Sequence, residues 1–248
     1  MSIQKGPWVW IVAGWLATAE VLWAGMLTGG GDTLLKSPSL DPWTVGVFFQ
    51  QVERGVELDN GDVAPLEART YGALLGYDLA SWLTLYGTAG TTEARTDDFF
   101  DYEKGRFSWS AGMNVHWWQW SGYSERPVWR INFKTRAEAS GYESGSEDYK
   151  IEWNEYQLSF PIGYEVIFAR QDDSFSDIHH LELFVGPALS WVDGSFRLGG
   201  GKTDFVEDQL LGVVGGATLY VTKSLFVSGQ AHYFDDFTGT LGVGYSFQ

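Results

Sequence analysis

Two groups of residues in this chain have the types and spacing to do chemistry. The first centres on His232, with Asp235 and Asp236 close behind it and Ser228 four residues before it. A histidine, a carboxylate and a hydroxyl are the parts of an acid–base or nucleophilic site. Ser228, Gln230 and His232 fall on one face of an alternating segment, and Asp235 and Asp236 lie at its end. A hydrogen-bonded inward histidine needs no further partners, so a hydrolase using His232 stands behind two other readings.

The second group is a charge ladder. Residues 128–141 read VWRINFKTRAEASG. One alternating set is Trp129, Ile131, Phe133, Thr135, Ala137 and Ala139; the other is Arg130, Asn132, Lys134, Arg136, Glu138 and Ser140. A period of two is that of a strand, whose successive side chains point to opposite faces. Three cations on one face suit the wall of a narrow, ion-selective channel, with Glu155, Glu165 and Glu182 on the opposite wall. They suit equally a packed polar interior in which those glutamates pair with the cations from neighbouring strands.

Several functions are excluded or unsupported. The net charge of −16 argues against a nucleic-acid partner, which needs clustered Lys and Arg. No zinc spacing, phosphate loop or dinucleotide fingerprint is present. Gly199-Gly200-Gly201-Lys202-Thr203 lacks the first-Gly spacing of a phosphate loop and reads as a flexible loop. No cofactor and no metal are expected.

Alternation recurs along the chain, at 43–53, 66–78, 82–92, 106–118, 128–141, 153–166, 181–192, 209–221, 225–234 and 240–248. The expected fold is all-β: a closed antiparallel up-and-down transmembrane barrel of about ten strands (eight to twelve). No segment beyond the first 40 residues is apolar enough for a spanning helix, so any membrane crossing is by barrel. The opening residues have a basic residue, Lys5, an apolar run and Ala17-Thr18-Ala19. They read as a signal peptide over 1–19, followed by a periplasmic lead-in over 20–42 and a barrel over 43–248.

A soluble barrel has an apolar interior; a membrane barrel inverts it. Large aromatics end the apolar faces, with Phe107 and Trp117 on one segment and Tyr156 and Tyr164 on another. That is the layout of interfacial girdles. The interior is therefore expected to be lined by Arg130, Asn132, Lys134, Arg136, Glu138, Glu155, Gln157, Glu165, Glu182, His116 and His232. His116, Trp118 and Phe184 are expected to supply bulk there. His179 and His180 are expected in a turn over 166–180.

Over 43–248 the chain resembles the small bacterial outer-membrane β-barrels. The resemblance rests on the alternation, on GYDLASWLTLYG (76–87) and on the closing segment TLGVGYSFQ. It implies a monomer in the outer membrane with both termini periplasmic, in contact with membrane lipid and lipopolysaccharide. It implies recognition of Leu241, Val243, Tyr245 and Phe247 by the barrel-assembly machinery, although Gln248 makes the last aromatic penultimate. Outer loops are expected near 53–65, 93–105, 141–150, 193–208 and 235–239, most of them acidic. They are solvated surface on the simpler reading; on the sharper one they bind divalent cations that bridge lipopolysaccharide phosphates, although no EF-hand spacing is present. The functional expectation is a non-enzymatic barrel with a side-chain-filled polar lumen and a structural or surface-interaction role. The alternative is a narrow channel lined by Arg130, Lys134 and Arg136.

Overall fold

Side-chain alternation along the chain produces twelve antiparallel segments in a computed structural model. They are β1 (Trp43–Leu58), β2 (Val63–Ala80), β3 (Leu83–Thr96), β4 (Arg106–Gly122), β5 (Val128–Gly145), β6 (Tyr149–Ser159), β7 (Ile162–Ile167), β8 (His180–Leu198), β9 (Gly201–Glu207), β10 (Leu211–Tyr220), β11 (Leu225–Tyr233) and β12 (Phe237–Ser246). The structure describes residues 43–247 apart from 97–103, 123–127, 147–148, 169–179, 199–200 and 223. The expected signal peptide and lead-in, and His179, lie outside the described residues.

The segments close into a ten-stranded barrel. β12 returns to β1, from Thr44↔Ser246 to Val52↔Thr238. β6 and β7 are one barrel strand. Both pair with β5 and β8 in a single register. Pro161 has no N–H and interrupts the ladder. Phe160 N still donates to Pro187 O at 3.0 Å, and Lys134 N to Pro161 O at 3.1 Å. β9 and β10 form another strand, both pairing with β8. Four residues (207–210) there oppose three (190–192), which is a bulge.

One rim carries both chain ends of the barrel, where Phe247 N donates to Trp43 O at 2.9 Å. The β11–β12 hairpin stops short of the other, far rim. Beyond it β9 pairs directly with β1, at Val56↔Glu207 and Leu58↔Phe205.

The outer surface between the rims is apolar. Val47, Val185, Leu211 and Trp117 are 62, 58, 65 and 66% exposed. Trp43–Tyr77 (4.5 Å between ring centroids) and Trp120–Trp129 (5.1 Å) lie at the terminal side of this band, and Phe49–Tyr71 (5.0 Å) at its far edge. An apolar band between two aromatic girdles matches a lipid bilayer and would be insoluble in water.

Past the far girdle the pattern inverts. On β1 the odd residues Val45, Val47 and Phe49 point outward, whereas further along Val52, Val56 and Leu58 point inward. On β8, Leu189 and Trp191 face out, then Val192 and Phe196 face in while Asp193 and Arg197 face out. A core of Val52, Val56, Leu66, Ala68, Ala94, Ile151, Trp153, Val192 and Phe205 fills this extension. It has the polarity of a water-soluble barrel, stacked end-on upon a membrane one.

The inversion corrects the expected outer loops. Where the outward face turns polar, residues 53–58, 141–145 and 193–198 are still strand. The first far turn is only 59–62, with Gly61 at φ +83°. Gly201-Lys202-Thr203 opens β9 and is no flexible loop. Trp118 also differs from expectation. A register slip between His116 and Trp118 turns Trp117 and Trp118 outward together, so Trp118 adds to the girdle and not to the interior.

Candidate functional site: the barrel interior

The inward face of β5 carries Arg130, Asn132, Lys134, Arg136 and Glu138, in register with the inward residues of β4 and β7. His116 stands directly across from Lys134, and Arg130 across from Glu165. Glu155 and Gln157 face inward from β6, Glu165 from β7, Glu182 and Phe184 from β8, and His232 from β11. The structure thus places all eleven residues of the sequence-derived interior set inside the barrel.

Their pairing is short-range. Lys134 donates to Glu182. Asn132 Nδ2 donates to Glu165 Oε1 at 2.7 Å and reaches Glu182 Oε1 at 3.5 Å. Arg136 donates across the interior to the side-chain amide oxygen Oε1 of Gln230, whose Nε2 contacts His232 Nε2. Glu138 accepts from Ser140 Oγ at 3.0 Å and from Tyr86 OH at 3.4 Å. The cations and carboxylates do not form opposite walls, because β5, β7 and β8 are adjacent. Buried charges are tolerated only when paired or hydrogen-bonded: Lys134 and Glu182 neutralise each other side by side, Arg130 lies across from Glu165, and Arg136 is held by a neutral amide.

The most heavily bonded charge lies at Arg54, on a stretch expected as loop. Its guanidinium is 2% exposed and meets Glu207 Oε2 at 2.7 Å, Glu155 Oε1 at 3.0 Å and Ser190 Oγ at 2.8 Å. It also sits 4.7 Å above the Phe234 ring. Glu207, expected in an acidic outer loop, is therefore an interior residue. The signal for Arg54 was available in the sequence, because it shares the even-numbered face with Val52, Val56 and Leu58.

Apolar layers separate these polar ones. Near the terminal rim Leu74, Tyr220 and Phe226 pack with Phe48. His180 is fully buried as the first residue of β8 and stacks on Tyr220 at 3.7 Å, so it is no turn residue. Midway, Ala188, Val214 and Phe234 pack with Phe184. Five glycines of the inward faces are seats for aromatic rings. Phe48, Tyr86, Phe184, Phe205 and Phe226 lie directly across from Gly72, Gly112, Gly216, Gly194 and Gly244. A ring lying flat over a cross-strand glycine covers its bare backbone and leaves no room for a Cβ.

Little open space is left. The cavity among Arg136, Glu138, Gln157, Gln230 and His232 measures about 50 Å³, and one beside Lys134 and Glu182 about 10 Å³. A water needs roughly 10–15 Å³ on this measure.

The acid–base constellation does not assemble. Asp235 accepts from the backbone N–H of Gly55, and Ser228 bonds Thr218 at 2.9 Å. His232 lies against Gln230 and the Phe234 ring. Among the described residues no group of three His, Cys, Asp or Glu is placed to hold a metal. On the far extension, outside the apolar band, the hydrogen bond to Glu152 holds the Lys150 ammonium above its ordinary pKa. The same bond holds the Glu152 carboxyl below its ordinary range.

No family model and no curated protein matches the sequence. Solved outer-membrane barrels do align with the chain. The translocator domain of the autotransporter NalP from Neisseria meningitidis aligns at 12% identity and TM-score 0.37, covering 85% of this chain and 90% of that one. An outer-membrane channel from Pseudomonas putida F1 aligns at 10% identity and TM-score 0.38, covering 90% and 100%. The transport unit of the autotransporter AIDA-I from Escherichia coli aligns at 12% identity and TM-score 0.36, covering 88% and 97%. The closed ten-stranded architecture stands on the chain's own strand pairing and not on these alignments. At these scores no residue role passes from those proteins to this chain.

Proposed function

We propose that the chain is an integral protein of a bacterial outer membrane whose barrel does not conduct. It acts without catalysis, in a structural or surface-interaction role exercised at the far rim. The observation that carries this reading is the packing of the interior. Hydrogen-bonded polar layers alternate with aromatic layers, and the cavity at mid-barrel is about 50 Å³. An eight- to ten-stranded barrel is narrow enough for side chains to fill.

On this reading the terminal rim faces the periplasm and the far extension stands outside the cell. The girdled band contacts lipid, and the polar exterior above it meets lipopolysaccharide. The closing residues Leu241, Val243, Tyr245 and Phe247 are what the barrel-assembly machinery would read, and the protein is a monomer.

The test is single-channel recording of the refolded chain in a planar bilayer, once heat-shifted gel mobility shows it folded. The expected result is silence. Discrete steps whose size follows salt concentration would overturn the closed interior in favour of a channel lined by Arg130, Lys134 and Arg136. Lipid or peptide cleavage that disappears in His232→Ala would overturn the non-catalytic part.

A further inference from the structure

On the outward face of the far extension, β4, β5, β6, β8 and β9 border a trough of about 380 Å³. One register row crosses it. Trp109 pairs with Gly141, Gly141 with Asn154, and Asn154 with Asp193. A Cβ on Gly141 would lie 2.5 Å from Trp109 Nε1 and 2.9 Å from its Cε2, so the indole lies over the bare backbone of Gly141. Its other face is turned outward, and the residue is 44% exposed. The Asn154 and Asp193 side chains are exposed too and have no hydrogen-bond or ion-pair partner among the described residues.

Charge at the trough is balanced. Four carboxylates line it: Glu143, Glu152, Asp193 and Asp204. Arg106 and Lys150 hold Glu143 at 2.5 and 3.3 Å, and Lys150 and Arg197 hold Glu152 at 2.6 and 3.1 Å. Lys202 holds Asp204 at 2.6 Å. Four cations thus answer four carboxylates, and neither a phosphate nor an ammonium gains net attraction there. An uncharged ligand with hydroxyls keeps full use of the Asn154 amide, which donates and accepts, and of the Asp193 carboxylate, which accepts.

The trough begins where the apolar band ends. In one step of two residues the outward face passes from Tyr156 and Trp191, which pair with each other, to Asn154 and Asp193. Aromatic residues at such a boundary sit at the level of lipid headgroups.

We propose that the trough binds a neutral sugar ring, the headgroup of a glycolipid in the leaflet beside it. The apolar face of the sugar packs on the outer face of Trp109, and its hydroxyls reach Asn154 and Asp193. The acyl chains stay in the bilayer against the band below. The inference rests on the reading that the girdled band lies in lipid.

The experiment uses the full chain in phosphatidylcholine nanodiscs that also hold monoglucosyl diacylglycerol and phosphatidylglycerol. Native mass spectrometry counts the lipids that stay bound to the released barrel. The glucosyl lipid is expected to be retained in preference to the other two. Trp109→Ala should weaken its retention about fivefold, the worth of one ring contact. Asn154→Ala, at an exposed position, should weaken it about as much through one lost hydrogen bond. Gly141→Ala keeps the indole but lifts it off the backbone, and should weaken retention as well. Trp117→Ala, on the outer surface away from the trough, should leave it unchanged. An equal concentration of methyl glucoside should not displace the lipid.

A glucosyl lipid retained no better than phosphatidylcholine, or retained equally by wild type, Trp109→Ala and Asn154→Ala, would overturn the proposal. Preference for phosphatidylglycerol would overturn the neutral ligand, and displacement by methyl glucoside would overturn the lipid as its source. A chain that does not enter nanodiscs would refute the membrane reading and the inference with it. An inserted chain without bound glucosyl lipid refutes the inference alone, so the two failures are distinguishable.

Discussion

At the scale of residues, the interior is organised by where charge is neutralised. Arg54 is the clearest case. One guanidinium holds Glu207 and Glu155 in contact with Ser190, joining β1, β6, β8 and β9. Removing it leaves two carboxylates in a site that excludes water. Arg54→Met is therefore expected to destabilise the barrel by about 3–5 kcal/mol, the usual cost of breaking a buried pair on one side. The measurement is the urea concentration at which heat-shifted gel mobility is lost. An unchanged midpoint would show that the cluster is hydrated. The β5 ladder was legible because its cations alternate with large apolar residues over a whole strand. Arg54 carries a weaker signal, its even-numbered face with Val52, Val56 and Leu58, which Gln51, Glu53 and Glu57 mask as loop when the outward face is assumed to be apolar. Trp118 was misplaced because a bulge leaves no mark in a run such as HWWQW. Nor did the spacing of His232 and Asp235 show that the carboxylate turns away to Gly55 N.

At the scale of elements, a strand here is defined by what lies across from each inward position. In sequence the Gly-rich faces mark the inward side of a side-chain-filled barrel, without showing which side chains the glycines receive. In the structure those glycines receive rings from the adjacent strand. A methyl group on Gly244 would lie 2.2 Å from the Phe226 ring, which is fully buried. Gly244→Val should therefore give no heat-shifted folded form. Phe226→Ala with Gly244→Val should recover part of it, because the ring that blocks the side chain is gone. Gly244→Val folding as well as wild type would show that the ring has somewhere else to go. Most strands were visible from alternation alone. The split at Pro161 was hidden, since register continues through it. β9 was missed because its outward residues, Lys202 and Asp204, gave it no apolar face.

At the scale of the molecule, two barrels of opposite polarity share the same strands. Between the girdles the outside is apolar and the inside polar; beyond the far girdle the outside is polar and the inside apolar. The change of phase is written in WTVGVFFQQVERGVEL, where apolar residues move from odd to even positions after Phe49. An extension closed by its own core explains why a far turn as short as 59–62 suffices there. It also gives the closed interior a second seal, independent of the charged layers below.

The absence of cysteine from the chain allows a direct test of this arrangement. Single cysteines would replace Val47, Phe49, Val52, Glu53, Val56 and Glu57 on β1. Each folded variant, in nanodiscs, would be exposed to a charged, membrane-impermeant maleimide. Rapid labelling is predicted at 53 and 57 only, with 47 and 49 shielded by lipid and 52 and 56 by the apolar core. Rapid labelling at 52 and 56 would mean that water fills the far end, and would contradict a barrel closed by its own side chains.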